Sequence, residues 1–225
     1  MAGYAREDLT PEQIVEQREL YLPFTQAIRD LVDAGIRTTV SPEEIRAAQA
    51  EIEAITARLR SSQIEGAYGV RFDASGNGRA WGNSVIGVRN AIAPPLVVEH
   101  DPSGRTWSDF HLGAAYEGPP TLVHGGVSAL ILDQMLGHAA GAGGKPGMTA
   151  TLTLTYRRGT PLGDLRAEAW IERSEGIKTW AKGHILGPDG VCVEAEGLFV
   201  LPKWARPGVA ARQAAHPEAR PSFFE

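Results

Sequence analysis

Apolar positions in the first quarter of the chain recur three and four residues apart. They run through Ile14, Tyr21, Leu22, Ile28, Leu31 and Val32, then through Ile45, Ala48, Ile52, Ile55 and Leu59. This spacing predicts two amphipathic helices. Each is preceded by a similar opening, "TPEQ" at 10–13 and "SPEE" at 41–44. Both openings place a hydroxyl residue at the N-cap, proline at the first helical position, and Gln13 or Glu44 three residues after the cap, as in a capping box. Gly35 is the expected end of the first helix. Both apolar stripes are narrow, so residues 1–62 read as a helical extension that needs a further surface. That surface is the domain, a partner subunit, or a ligand under a lid, and the residues leave the choice open. Residues 63–96, with "DASGNG" and "APP", read as an irregular connection with one short strand near 68–72.

The pattern then shortens to a period of two. "LVVEH" (96–100), "DPSG" (101–104) and "RTWSDFHL" (105–112) predict a hairpin. "PTLVHGGVSALILDQMLG" (120–137) predicts a helix over 124–140 that is apolar on nearly every side. After "GAGGKPG", "MTATLTLTY" (148–156) alternates strictly between apolar residues and threonine. Segments 165–172, 177–186 and 191–201 continue as strands, with "RSEG" and "GPDG" as turns. Short links suggest a four-stranded antiparallel meander. A helix apolar all round has to be surrounded, and a curved antiparallel sheet can wrap it. The expected class is therefore α+β: a hot-dog fold over residues 63–202, with the N-terminal helical extension before it. The tail at 203–225 is expected to be loosely ordered.

Composition adds limits. At 43% hydrophobic and 22% charged residues the chain can build a full core. A formal net charge of −5 argues against a nucleic-acid partner. Cys192 is the single cysteine and cannot form an internal disulfide; with no apolar leader at the start of the sequence, this points to the cytoplasm. No apolar run approaches the ~20 residues needed to span a bilayer, so no membrane role is expected.

The chemistry concentrates in the apolar helix. Asp133 lies among Leu130, Ile131, Leu132, Met135 and Leu136, nine residues after His124. Nine helical residues turn about 900° and rise about 13 Å, so His124 and Asp133 of one chain face opposite ways. Two chains packed antiparallel about a two-fold axis bring the start of one helix to the middle of the other, which suggests a site shared between protomers. At the helix start, the N–H groups of Gly125 and Gly126 are unshielded by side chains and carry the positive end of the dipole. A carbonyl oxygen placed there is polarised and its oxyanion stabilised. Asp133 of the partner helix then attacks the carbonyl or activates water. Structural readings stand beside these: His124 as a helix cap, the glycines as packing devices, Asp133 as a solvated carboxylate.

Other signals fail. At "GAGGKPG" (141–147), Ala139 just upstream stands where a phosphate loop needs its first glycine, and Pro146 where it needs Ser or Thr. Ser128 lacks the flanking glycine of a nucleophile elbow. The six histidines show no paired metal-ligand spacing, so no metal site is expected. Trp170 and Trp180 are expected to form a cross-strand pair.

"VHGGVSALILDQMLG" followed by "MTATLTLTYRRGTP" resembles the acyl-CoA thioesterases of the phenylacetate-pathway (PaaI-like) type, a hot-dog-fold family; the resemblance covers about residues 90–201. It implies that the amide of Gly125, after His124 and beside Gly126, holds the thioester carbonyl. Asp133 would be nucleophile or general base, and Thr149 would hold substrate or water. It also implies a homodimer or dimer of dimers with the site between subunits. Arg157 and Arg158 in "YRRGTP" are candidates for the coenzyme A phosphates or for a solvated strand end. Asn90 is a candidate to line the pocket. The expected activity is hydrolysis of an acyl-CoA to a carboxylic acid and free coenzyme A. Coenzyme A enters as part of the substrate, and no other cofactor is implied. Two alternatives are a non-catalytic acyl-CoA-binding protein of the same fold and an enoyl-CoA hydratase-type enzyme, which would pair His124 with a carboxylate.

Overall fold

A computed structural model describes residues 4–73, 77–94, 96–101 and 103–206. The first helix, α1 (Pro11–Arg37), starts as its capping box dictates. The Gln13 amide donates to Thr10 Oγ1 at 3.3 Å and the Thr10 amide to Gln13 Oε1 at 2.9 Å. The helix does not stop at Gly35. It continues to a cap at Thr38, its last turn closed by the Arg37–Asp33 ion pair at 3.0 Å. The second helix, α2 (Pro42–Arg60), is capped by Ser41, whose Oγ accepts from the Glu44 amide. The extension is not wholly helical. Strand β1 (Tyr4–Arg6) precedes α1 and pairs in parallel with β2 (Val70–Phe72), which pairs with β3 (Gly78–Arg79). Glu7 fastens this small sheet by bridging Arg71 and Arg79.

Among the described residues the main sheet has six strands. The expected hairpin appears as β4 (Glu99–His100) and β5 (Thr106–Leu112). The core helix α3 (Gly125–Ala142) follows, then β6 (Met148–Tyr156), β7 (Gly163–Glu175), β8 (Lys178–Gly187) and β9 (Gly190–Val200). Their order across the sheet is β4-β5-β7-β8-β9-β6, antiparallel throughout. This is the hot-dog arrangement, with one correction to the simple meander: β6 does not lie beside β7. The tight turns joining β7, β8 and β9 leave it only the far edge, against β9. Its exit is pinned there, since the amides of Arg157 and Arg158 both donate to the Cys192 carbonyl on β9.

Helix α3 lies against β5, β6, β7, β8 and β9. Ile131, Leu132, Met135, Leu136 and Ala139 are fully buried with Leu112, Ile185, Val193 and Phe199. The sheet does not surround the helix. Gly126 and Leu130 are exposed, and Asp133, Gln134, Gly137 and His138 on the same side are half-buried. The edge strand beside them is exposed along most of its length. The expected tryptophan pair is absent, because the register set by the β7–β8 turn puts Trp180 opposite Arg173 and Trp170 opposite Lys182. Trp170 meets His184 edge-on, and Trp180 lies under Arg173. The expectation for the tail falls mostly on residues outside those described.

Candidate active site

The loop before α3 sets the helix start. Short bridges join Glu117 to Val123 and Leu122 to Pro161, and the His124 amide donates to the Tyr116 carbonyl at 2.9 Å. Thr121 is held at φ 67°, a left-handed conformation that a branched side chain rarely adopts. The surrounding bonds over-determine it: its amide donates to Glu117 Oε1 at 2.8 Å and its carbonyl accepts from the Leu162 amide at 3.0 Å.

His124 is the N-cap of α3, with Nδ1 accepting from the Gly126 amide at 3.0 Å. The Gly126 N–H is therefore already engaged by the protein. The Gly125 N–H has no acceptor among the described residues, and the Gly125 carbonyl accepts from the Tyr156 hydroxyl at 2.9 Å. A side chain at Gly125 would meet that hydroxyl at 3.3 Å. Of the two glycines, Gly125 thus keeps the amide open to a ligand, and Tyr156 at the end of β6 fixes its peptide. The alternation of "MTATLTLTY" placed Tyr156 on a strand face but gave no sign that its hydroxyl reaches the helix start.

Asp133 lies two turns further along. Its Oδ1 accepts from the Thr149 hydroxyl at 2.8 Å. Both residues line a cavity of about 850 Å³ together with Gln134, Gly137, His138, Gly141, Met148 and Phe199. The helical members recur every three or four residues, the rule that puts them on one face. The cavity follows α3 toward its C-terminus, where His100 and Thr106 of the hairpin and Tyr4 and Trp204 of the chain ends complete its wall. Gln134 is fixed by Asn83, whose Nδ2 donates to its Oε1 at 3.1 Å.

His138 is held neutral. Burial, with a smaller contribution from His100, pushes its pKa down to about 4 from an ordinary 6.5. Between those values the unfolded chain binds a proton that the folded chain refuses, so folding stability falls as pH drops from about 6.5 toward 4, with a slope of at most about 1.4 kcal/mol per pH unit from this group. Urea unfolding at pH 7 and pH 4.5 is expected to show a smaller difference for His138→Gln than for the parent.

The remaining candidates lie elsewhere. Asn90 turns into its own loop: Nδ2 donates to the Gly82 carbonyl at 3.1 Å and Oδ1 accepts from the Ile92 amide at 3.0 Å. It does not line the Asp133 cavity; instead its carbonyl takes a hydrogen bond from Arg29 of α1, joining the extension to the domain. Arg157 and Arg158 sit past the end of β6, beside Tyr156 and away from Asp133. Arg157 pairs with Glu194 at 2.7 Å, and Arg158 donates to the Asp189 carbonyl. Both side chains are largely exposed.

The candidate residues of one chain therefore fall into two groups at opposite ends of β6. Gly125 is beside Tyr156 and Asp133 beside Thr149. Gly125 and Asp133 lie eight residues apart on α3, a rise of about 12 Å, so one small reacting group cannot bridge them.

Fold and candidate residues together define a hot-dog domain with an acid on its core helix and an open amide at that helix's start. Residues 121–177 match the Thioesterase superfamily family. A crystal structure of a thioesterase superfamily protein is 38% identical, with a TM-score of 0.72 over 80% of this chain and 94% of that one. The chain belongs to the thioesterase superfamily. It is also similar to the acyl-coenzyme A thioesterase THEM4 of Xenopus laevis, 37% identical over 98 residues, covering 40% of this chain and 42% of that protein. The THEM4 acyl-coenzyme A thioesterase of Bos taurus is 29% identical over 108 residues, covering 47% of this chain and 44% of that protein. The matches thus span less than half the length of these curated relatives. Among the described residues no helix is long and apolar enough to cross a membrane, and no cluster of His, Cys, Asp or Glu has the makings of a metal site.

Proposed function

We propose that the protein hydrolyses an acyl-CoA thioester to a carboxylic acid and free coenzyme A, at a site assembled from two copies of the chain. The observation that carries this is the Asp133–Thr149 pair in its cavity at one end of the free β6 edge, with the open Gly125 amide at the other. An exposed nine-residue edge strand is a liability unless something covers it. A second copy related by a two-fold axis covers it and places each Asp133 opposite the partner's helix start. The curated relatives carry the name acyl-coenzyme A thioesterase, which supports the choice of substrate.

In this reading the Gly125 N–H donates to the thioester carbonyl oxygen and stabilises the oxyanion. Asp133 of the facing copy adds to the carbonyl carbon or takes a proton from the attacking water. The carbon–sulfur bond breaks, and the thiolate leaves to be protonated as free coenzyme A; where Asp133 itself added, water then opens the resulting anhydride, freeing the carboxylic acid and the Asp133 carboxylate. Thr149 donates to Oδ1 of Asp133, which aims the other carboxylate oxygen. Arg157 and Arg158, at the Gly125 end, are placed to meet the phosphates of the leaving coenzyme A. A carboxylate and an amide suffice for this chemistry, so it calls on no metal or redox group.

A panel of acyl-CoA substrates with free-thiol detection tests the proposal. Release of thiol from at least one substrate by the oligomer is expected; tight acyl-CoA binding with no thiol release would instead identify a ligand-sensing protein. A fully active monomer by light scattering would refute the shared site. Thr149→Val removes a hydrogen bond to a charged acceptor, an interaction of about 1.5–3 kcal/mol. It is expected to lower kcat/KM by about 10–100-fold without unfolding the protein, as steady-state kinetics and circular dichroism will show.

A further inference from the structure

Helix α2 is well formed and, among the described residues, packs substantially on no other element, α1 included. It is capped at its start and rich in strong helix formers, yet it contains no buried residue. Ile45, Ile52, Ile55 and Leu59 are each 41–49% exposed. With Ala48 between them they make a continuous stripe at alternating spacings of three and four, the a and d positions of a heptad. A 19-residue helix in water is marginal by itself, so an apolar seam of this regularity calls for a partner.

The charges beside the seam select one. In heptad terms Glu51 and Arg58 hold successive g positions, while Gln49 and Thr56 hold successive e positions. Neither Glu51 nor Arg58 has an ion-pair partner among the described residues. In a parallel pair each g faces an e of the other helix, which sets Glu51 against Thr56 and matches no charge. In an antiparallel pair g faces g and e faces e. Ile52 then stacks on Ile55 of the second copy and Ala48 on Leu59, small against large. Glu51 meets Arg58, Gln49 meets Thr56, and the two-fold axis repeats every contact.

We propose that α2 pairs antiparallel with α2 of a second copy of this chain, with Glu51–Arg58 ion pairs fixing direction and register. A single helix pair buries much less than the ~1,600 Å² of a standard interface. It therefore reinforces an assembly held together elsewhere as well, and it does not depend on the proposed reaction.

Charge reversal tests direction and register together, on the full chain. Glu51→Arg and Arg58→Glu each turn two attractive contacts into repulsive ones. Each is expected to reduce amide-exchange protection over residues 48–59 by about fivefold to tenfold and to shift dissociation of the assembly to a correspondingly higher concentration by light scattering. The double variant E51R/R58E restores opposite charges only in the antiparallel α2 pair, so it should return both readouts to the parent values. A double variant no better than the single ones would overturn the proposal and place α2 against α1 or another surface. Single variants indistinguishable from the parent would overturn it as well. Ile52→Asp, which places a charge in the seam itself, should abolish the protection outright; protection that survives it counts against the seam.

Discussion

Replacing Asp133 with asparagine is expected to lower kcat for acyl-CoA hydrolysis by about a thousandfold, the scale on which a positioned general base or nucleophile acts. The change keeps the size of the side chain, and the amide oxygen still accepts from the Thr149 hydroxyl 2.8 Å away in the parent. Helix and cavity are therefore preserved while the basic oxygen is lost. KM should change little, because the carboxylate acts on the carbonyl carbon or on water and not on the bulk of coenzyme A. Asp133→Ala should be at least as impaired and should also leave the Thr149 hydroxyl without its acceptor. If both variants turn over every substrate at the parent rate, Asp133 is not the reacting acid. A mixing experiment examines the two-copy site with the same variant. Asp133→Asn supplies an intact Gly125 amide, and a variant damaged at the helix start supplies an intact Asp133. Hybrid dimers of two inactive chains then regain one working site, whereas sites contained in single chains regain none.

How much of this was legible in the residues follows from the range of the forces involved. Caps and periodicity are local, so the starts of α1 and α2, the extent of β6 and the span of α3 could be read directly from "TPEQ", "SPEE", "MTATLTLTY" and the apolar run after His124. The position of β6 in the sheet could not. Strand order depends on which neighbours remain free once the tight turns of β7, β8 and β9 have formed, and no single segment encodes that. Gly35 misled because glycine permits a helix to end without forcing it, and the Arg37–Asp33 pair holds the extra turn. In the site, the opposition of His124 and Asp133 followed from 100° per residue alone. The Thr149–Asp133 bond and the Tyr156 hydroxyl on the Gly125 carbonyl are long-range contacts that spacing does not reveal. Gln134, His138 and Gly141 were within reach, since they continue the face of Asp133 at three- and four-residue steps. Reading that stripe as uniformly buried core concealed the cavity it lines.

Among the buried side chains that seat the helix carrying Asp133, Leu136 fits the sheet most closely, and removing it should have a large effect on stability. Leu136 is fully buried and fits a depression in the sheet that exists because β8 and β9 carry Gly183 and Gly197 beneath it. A side chain built on Gly183 would come within 2.8 Å of Leu136 Cδ1, and one on Gly197 within 2.9 Å of Cδ2. Leu136→Ala should cost about 3–4 kcal/mol through lost burial and the cavity left behind, lowering Tm by about 10 °C in a chain of this size. The two glycines should respond differently to it. At Gly197 the added methyl would press on the Phe199 ring, 2.8 Å away, and on Leu136, both side chains. At Gly183 it would also meet the Glu168 carbonyl oxygen at 2.6 Å, which belongs to a neighbouring strand and cannot yield without breaking the ladder. Gly197→Ala should therefore be largely rescued in the Leu136→Ala background, where the methyl fills vacated space. Gly183→Ala should remain destabilising by about 1–3 kcal/mol in either background. Urea unfolding of the two double-mutant cycles measures this directly. Equal coupling of both glycines to Leu136 would mean that the sheet backbone moves to accommodate the methyl, and that the seat of α3, and with it the position of Asp133, is softer than its packing indicates.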